Sequence, residues 1–504
     1  MKFTQEDQEY ITENGLSEKI ISQQLAWFRE GVPYANLVEA AVLNKGIRSF
    51  SEEEKDSFIN YFDSAKAPLK LVKFVPASGA ATRMFKLMFE FLEEINRGNY
   101  FASLLAQQKY KAVKEFLAAR AELPFYKQVL AEIEHPLKNE EVAFLKTLLD
   151  QHKLNFGQLP KGLIPFHRYQ NFSVTPFEEH LYESAQYASI NGKTHLHFTV
   201  AEEHLAKFKE RFSAIQTELE KATQSTFEIG YSFQEKHTNT IAVNLDNTPF
   251  RDKHNQLVFR PGGHGALLQN LNNIEADVIF IKNIDNVIPR EQLQEVVDYK
   301  KLLGGFLLQL QEKIFAILQK LESEGFTASI QQRATDFMKN EFELSLNLNS
   351  AEAIKNALHK PIRVCGMVKN EGAPGGGPFW VKDQKGEISL QIIEGAQINQ
   401  QEASQKVIVD EATHFNPVDV VCGVKDFKGK KFDLNNFVDE SQLFISEKSK
   451  HGKKLKALEL PGLWNGAMAK WNTVFVEVPS STFNPVKTVN DLLKPNHQPA
   501  YEKS

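Results

Sequence analysis

Asp285 closes the run VIFIKNID, a dense apolar stretch that ends in a single carboxylate. In open α/β sheets ligands bind at the carboxyl edge of the strands, so an acid in that position faces a site rather than the core. A lone acid there also suits a hard cation such as magnesium, which takes one or two carboxylates and fills its shell with phosphate oxygens. The competing reading is a plain turn, because Asp-Asn is a common turn pair. Lys161 stands between Pro160 and Gly162, where no regular helix can form. Its ammonium can reach a phosphate, or it is an ordinary surface-loop lysine.

An anion site is also suggested earlier in the chain. Residues 69–76 read as a buried strand and residues 77–81 (Ala77, Ser78, Gly79, Ala80, Ala81) as a tight small-residue loop, with a helix predicted from Thr82 onward. Strand, small loop and helix amino terminus direct unsatisfied N–H groups and the helix dipole at a ligand, and Arg83 adds a charge beside them. This is not the Walker pattern, which needs a lysine and a hydroxyl residue after its glycines.

The elements around these residues follow from spacing. Residues 1–66 read as a helical amino-terminal segment, and residues 67–494 as one α/β domain carrying a helical insertion at 87–157 that could act as a lid. Residues 495–504 are expected to be a tail. Thr175 with Pro176, Glu178 and Glu179 reads as a capped helix start. His195 and His197 share a face of the strand at 194–200, but without a third ligand they read as structural. Gln234 ends another strand and offers its amide to a base or sugar. Gly262, Gly263 and Gly265 open a short helix before the strand of Asp285. Residues 375–377 form a triple glycine that is either a plain hairpin or a place where backbone approaches a hydroxyl-rich ligand.

Composition sets limits. The chain has 504 residues, 42% hydrophobic and 24% charged, which is ordinary for a soluble globular protein larger than one core. A net charge of −5 argues against nucleic acid as a partner. The basic run at 448–456 is expected to be a solvated loop. Cys365 and Cys422 are too far apart for a metal pattern and read as buried thiols. The amino terminus lacks an apolar signal core and no run is long enough to span a bilayer, so a cytoplasmic protein with no membrane association is expected.

Taken in order, the motifs resemble the nucleotide-sugar pyrophosphorylase superfamily, closest to its UTP:glucose-1-phosphate uridylyltransferase branch and within an uncharacterised family of it. PASGAATRM resembles the opening nucleotide-binding loop and PKGLIPF the lysine motif. RPGGHGALL and IKNIDN are similar to the base-contacting segment and the magnesium aspartate. GGGPFWVKDQKGEISLQIIEGAQI is similar to the sugar-binding stretch, and VPSSTFNPVKTVNDLL to the late segment whose lysine contacts phosphate. The motifs span residues 71–493. Ala80, Ala81, Ala266 and the Asn416-Pro417-Val418 sequence depart from the family pattern, which bears on the base and the sugar more than on the chemistry.

The resemblance implies a Rossmann-like, mixed, mostly parallel sheet of the nucleotide-diphospho-sugar transferase type. It implies transfer of a nucleoside monophosphate, by expectation uridylyl, from a nucleoside triphosphate to a sugar 1-phosphate with release of pyrophosphate. Asp285 would hold Mg2+. Arg83, Lys161 and Lys487 would act on the phosphates, with Ala77, Ser78, Gly79, Ala80 and Thr82 cradling the triphosphate. Gly262, Gly263 and His264 would flank the base, with Gln234 nearby, and Gly376, Glu394 and Asn416 would meet the sugar. A monomer or small homo-oligomer is expected, without a β-helical tail. The alternative is a nucleotide-sugar-binding protein of the same fold without catalysis. Transfer to a non-sugar phosphate such as phosphocholine is a third reading, against which the sugar-loop likeness speaks.

Overall fold

The computed structural model describes residues 3–134, 139–170, 172–372, 375–450 and 452–499. Ala373 and Pro374 of the glycine-rich loop and residues 500–504 of the tail lie outside the described residues. The chain divides into two compact units, each made of three segments: one holds residues up to 74, 232–281 and 301–479, the other 75–231, 282–300 and those from 480 onward.

In the first unit, strands lie in the order Val42–Leu43, Gly46–Arg48, Asn472–Glu477, Ile362–Lys369, His414–Gly423, Val278–Lys282, Leu71–Pro76. Leu71–Pro76 runs parallel to Val278–Lys282, and Asn472–Glu477 runs parallel to both Ile362–Lys369 and Gly46–Arg48. Ile362–Lys369 and His414–Gly423 are antiparallel. The expected mixed, mostly parallel sheet is therefore present. Its strands are buried along almost their whole length, as near-continuous apolar runs such as VIFIK require when both faces are covered. Cys365 and Cys422 are buried free thiols on two of these strands. Gly304 and Gly305 sit where a Cβ would strike the Phe62 ring and, at 2.0 Å, the Phe58 carbonyl oxygen. They permit a close helix crossing that no side chain would fit.

Two smaller sheets complete this unit, and both correct an expectation. Residues 36–40, read as part of a helical segment, are strand: Asn36–Ala40 pairs antiparallel with Gly377–Lys382, and its Leu37 and Ala40 are buried on that sheet. Long-range pairing outweighs a weak local helical spacing. The helices Gln5–Glu13 and Glu18–Glu30 do form, capped by Thr4 and Ser17. The basic run at 448–456 is not a loop, because Phe444–Lys450 and Lys453–Glu459 form an antiparallel hairpin with Lys448 paired to Glu459 at 2.9 Å.

The second unit carries the helical insertion, with helices Lys86–Asn96, Phe101–Leu105, Lys111–Ala118, Tyr126–Ala131 and Glu140–Leu149. Their apolar faces share one core with Val287, Val486, Val489 and Leu492, so the insertion also grips the segment that bears Lys487. Pro176–Ala188 starts as predicted, with Thr175 and Glu178 in a reciprocal capping box. The strands Lys193–Thr199 and Thr226–Ser232 also lie where expected. One prediction fails: Thr82 does not begin an α-helix. A three-residue 3-10 turn occupies Ala81–Arg83, and the helix starts at Lys86. Among the described residues no helix is long and apolar enough to cross a membrane.

Candidate functional site

Because Leu71–Pro76 and Val278–Lys282 run parallel and in register, their carboxyl ends emerge side by side. The chain that follows each one supplies part of a single cluster in the second unit. Asp285 Oδ2 accepts from Lys161 Nζ at 2.8 Å and from Lys487 Nζ at 3.3 Å. Asp285 is 8% exposed. Burial works to raise its pKa, but the two ammonium groups outweigh that and hold the carboxylate below its usual range. Burial pulls the Lys161 ammonium down, and this exceeds the opposing attraction of Asp285. Both directions follow from one arrangement, in which two cations share one anion and neither is fully compensated. The cluster is thus left with a net positive charge, which a phosphate would complement.

The small-residue loop is tied to the same cluster. Ala77 N–H donates to Thr199 O (2.8 Å), Ala81 N–H to Leu159 O (3.0 Å), and Lys161 N–H to Gly79 O (3.2 Å). Among the described residues no acceptor takes the N–H groups of Ser78, Gly79 or Ala80. Gly79 and Ala80 are exposed, and nothing lies within 4 Å of a Cβ built on Gly79. Successive free amides next to lysines suit an oxyanion without any helix terminus. Arg83 and Thr82 are exposed, and Thr82 Oγ1 donates to Gly157 O at 2.9 Å.

Lys487 is held through its backbone. Asp491 Oδ2 accepts the N–H groups of Lys487 (2.8 Å) and Thr488 (2.7 Å), and Val486 N–H donates to Asp285 O at 3.1 Å. Asn286 Oδ1 takes the Asn484 N–H at 2.9 Å, and Asn484 Nδ2 reaches Asn496 O at 2.8 Å.

Sequence reasoning missed a buried network behind this segment. Glu179 Oε1 accepts from His167 Nδ1 (2.7 Å) and from the Tyr169 hydroxyl (2.8 Å), while Arg290 Nε donates to Oε2 at 3.3 Å. His167 Nε2 lies 3.1 Å from His497 Nδ1, with the rings stacked at 28°. His497 Nε2 is buried and has no partner among the described residues. Burial, with His167 adding to it, pushes the His497 pKa down to about 3. Glu179 stood out only as a first-turn acid, and His497 lay in a stretch expected to be a tail. No local signal marked either.

The remaining predicted residues lie in the first unit, in two neighbouring groups. Gly263 has φ +75°, and a Cβ there would meet Glu459 Oε2 at 2.8 Å. A Cβ on Gly262 would meet Thr238 O at 2.6 Å. His264 stacks on Trp464 with centroids 4.2 Å apart at 15°, and its Nδ1 accepts the Leu463 N–H at 2.9 Å. Burial lowers its pKa to about 4, so the ring is neutral at pH 7. Gln234 donates to Asn239 Oδ1 at 3.3 Å.

Glu394 Oε1 lies 3.5 Å from the Cβ position of Gly376. Burial raises its pKa, the nearby Glu459 adds to this, and a bond from Asn465 opposes it. Gly376 O accepts the Asn416 N–H at 2.8 Å. The Asn416 side chain bonds Gly366 O and the Val418 N–H, so it braces a strand irregularity in which Val418 takes φ +62°. Glu459, Trp464 and Asn465 were not foreseen, because each acts through a partner distant in sequence. The described residues contain no group of three or more His, Cys, Asp or Glu able to hold a metal.

Two solved structures are similar in chain path. A mutant UDP-glucose pyrophosphorylase from Leishmania major in complex with UDP-glucose is 12% identical over 98% of this chain and 79% of its own, with a TM-score of 0.46. The uridine diphosphate N-acetylglucosamine pyrophosphorylase from Trypanosoma brucei, in complex with an inhibitor, is 12% identical over 97% and 82%, with a TM-score of 0.47. At these values the likeness carries neither a substrate nor a residue role over to this chain. No curated protein matches it. A family model described as Domain of unknown function (DUF4301) matches residues 4–498.

Proposed function

The chain belongs to the DUF4301 family, and on that premise we propose that it is a nucleotidyltransferase that moves a uridylyl group from UTP to a sugar 1-phosphate and releases pyrophosphate. The observation that carries this reading is the pairing of Lys161 and Lys487 on the single buried carboxylate of Asp285, beside three backbone amides without acceptors among the described residues. Such chemistry asks little covalent work of a protein. It asks that two anions be brought into line and their charge neutralised by preorganised groups.

The donor set fits magnesium in one specific way. Asp285 Oδ2 takes both lysines, while Oδ1 has no hydrogen bond among the described residues. One carboxylate oxygen with the rest of the shell left to phosphate and water is what this cation accepts. Bound there, it would supply charge neutralisation and a template for the phosphate oxygens.

The protein's own groups account for the rest. The N–H groups of Ser78, Gly79 and Ala80 take the triphosphate oxygens, and Arg83 adds a cation at the rim. Lys161 and Lys487 exchange Asp285 for the reacting phosphates, which relieves the sharing of one anion by two cations. An oxygen of the sugar 1-phosphate forms a bond to the α-phosphorus as the bond to the pyrophosphate oxygen breaks. In the same reading Gly262, Gly263 and His264 receive the base and Gly376 and Glu394 the sugar. Asn416 supports Gly376 rather than the ligand.

The same pairing also favours a second reading. Asp285 is already compensated, and the other carboxylate near the lysines, Asp491, is engaged by the Lys487 and Thr488 N–H groups and by Lys494, as suits a nucleotide-sugar-binding protein without turnover. A pyrophosphate-release assay with UTP and a panel of sugar 1-phosphates, run with magnesium beside calorimetry, separates the two. Turnover supports the transferase; heat of binding without turnover supports the binder, and neither heat nor turnover removes both.

A further inference from the structure

The first unit contains a cavity of about 470 Å3 that includes none of the residues assigned above to base, sugar or phosphate. Its size is that of a small-molecule site. Four lysines line it: Lys360, Lys382, Lys385 and Lys470. None forms an ion pair among the described residues, whereas Lys425, Lys428 and Lys431 are each paired.

Three acids share the wall, Asp383, Glu387 and Asp439, and none is ion-paired with these lysines among the described residues. Asp383 Oδ1 accepts the N–H groups of Lys385 and Glu387, both at 2.8 Å, and so caps its own hairpin turn. Asp439 accepts from Ser441 and from Gln442 Nε2. Among the described residues that leaves Glu387 as the lining acid without such a bond. Lys360 is half-buried; burial lowers its pKa, Lys385 and Lys470 push the same way, and Glu387 opposes them.

The wall is also rich in unmatched polar atoms. Gln391 Oε1, Gln442 Oε1, Trp471 Nε1 and Asn472 Nδ2 are buried without a hydrogen-bond partner among the described residues. All four residues line this cavity, and Gln391, Trp471 and Asn472 are 3%, 4% and 6% exposed. Each of these atoms is itself closed to solvent, so they make the wall polar without themselves meeting an occupant. Tyr34, Met338 and Leu344 add apolar surface to the wall.

We infer that this cavity binds a small phosphate-bearing anion, its charge taken by Lys360, Lys382, Lys385 and Lys470 and its body lying against the apolar wall. The inference does not depend on the proposed transferase activity. Gln397 also lines the cavity, and its Oε1 accepts the Glu394 N–H at 2.9 Å, so an occupant lies one residue from the candidate sugar-binding acid.

The test is calorimetry on the full chain carrying Lys161→Ala and Lys487→Ala, which removes two of the phosphate-binding side chains assigned to the other site and leaves Arg83 and the loop amides; the unsubstituted chain, run beside it, serves as parent should this one unfold. Inorganic pyrophosphate probes the anion alone, and phenyl phosphate the anion with an apolar body. At least one probe is expected to bind this parent with one-to-one stoichiometry and to weaken as salt is raised. Adding Lys360→Met and Lys470→Ala is expected to weaken it at least tenfold. Lys382→Ala with Lys385→Ala, in an exposed hairpin, gives a second variant should the first unfold. Tighter binding of phenyl phosphate assigns a phosphate ester, and tighter binding of pyrophosphate assigns an inorganic or terminal polyphosphate. No binding to the parent, or binding within twofold of the parent in both lysine variants, overturns the inference.

Discussion

Lys161 and Asp285, separated by 124 positions in the chain, meet at 2.8 Å with both side chains largely withdrawn from water. A buried carboxylate that holds two ammonium groups is a structural element as well as a candidate catalytic one, and the two roles separate by experiment.

Asp285→Ala leaves Lys161 buried without its anion. Breaking a buried ion pair from one side costs about 3–5 kcal/mol, so the urea midpoint is expected to fall while the variant still folds in buffer. Pyrophosphate release is expected to drop by about 100-fold or more, the scale seen when a preorganised charge is removed. A variant with unchanged turnover would refute the assignment of Asp285.

Asp285→Asn keeps the volume but removes the charge that raises the Lys161 pKa against burial. The Lys161 amine is then expected to titrate lower than in the parent. The pH dependence of its labelling by an amine reagent, read by peptide mass, checks this; an unchanged profile would show that the pair is not coupled.

His497 has a folded pKa pushed down to about 3 from an unfolded value near 6.5. Between these values the unfolded chain binds more protons than the folded one, so stability rises with pH across that window and is lost on acidification. The loss from this group at pH 5 is about 2 kcal/mol relative to neutral pH. His497→Gln is expected to flatten the urea midpoint between pH 7 and pH 5. It should also lower turnover, because the Lys487 segment loses a support; a slope identical to the parent's would sink this account.

Glu394 is shifted the other way, by burial and by Glu459. Its folded form holds a proton above the pH at which the unfolded form loses it, so stability falls as pH rises from about 4.3 through the folded pKa. Glu394→Gln is expected to raise the urea midpoint at pH 7.5 and to leave it nearly unchanged at pH 4. If the residue also meets the sugar, KM for the sugar phosphate rises while KM for UTP does not.

His264→Ala removes the ring stacked on Trp464. KM for UTP is expected to rise about tenfold, the factor that 1.4 kcal/mol represents, with little change in kcat. A change in kcat alone would place His264 at the chemistry instead.

Local chemistry in the sequence was enough to identify the buried strand before Asp285, the helix start capped by Thr175, the helical insertion, the lack of α-helix at Lys161 and the irregular position of Lys487. Each of these signals acts within a few residues: apolar runs, capping side chains and proline or glycine that forbid helix. The helix expected at Thr82 shows the limit of such signals, since the bonds of Ala81 to Leu159 and of Lys161 to Gly79 hold that stretch in a short turn. The strand at 36–40 shows it again, because its partner lies far along the chain. Tertiary structure alone decided that one oxygen of Asp285 takes both lysines, that the Asn416 amide is engaged by backbone, and that His497 joins His167 across 330 positions. Side chains this far apart meet only where strand pairing and core packing bring their backbones together, and no residue carries that information by itself.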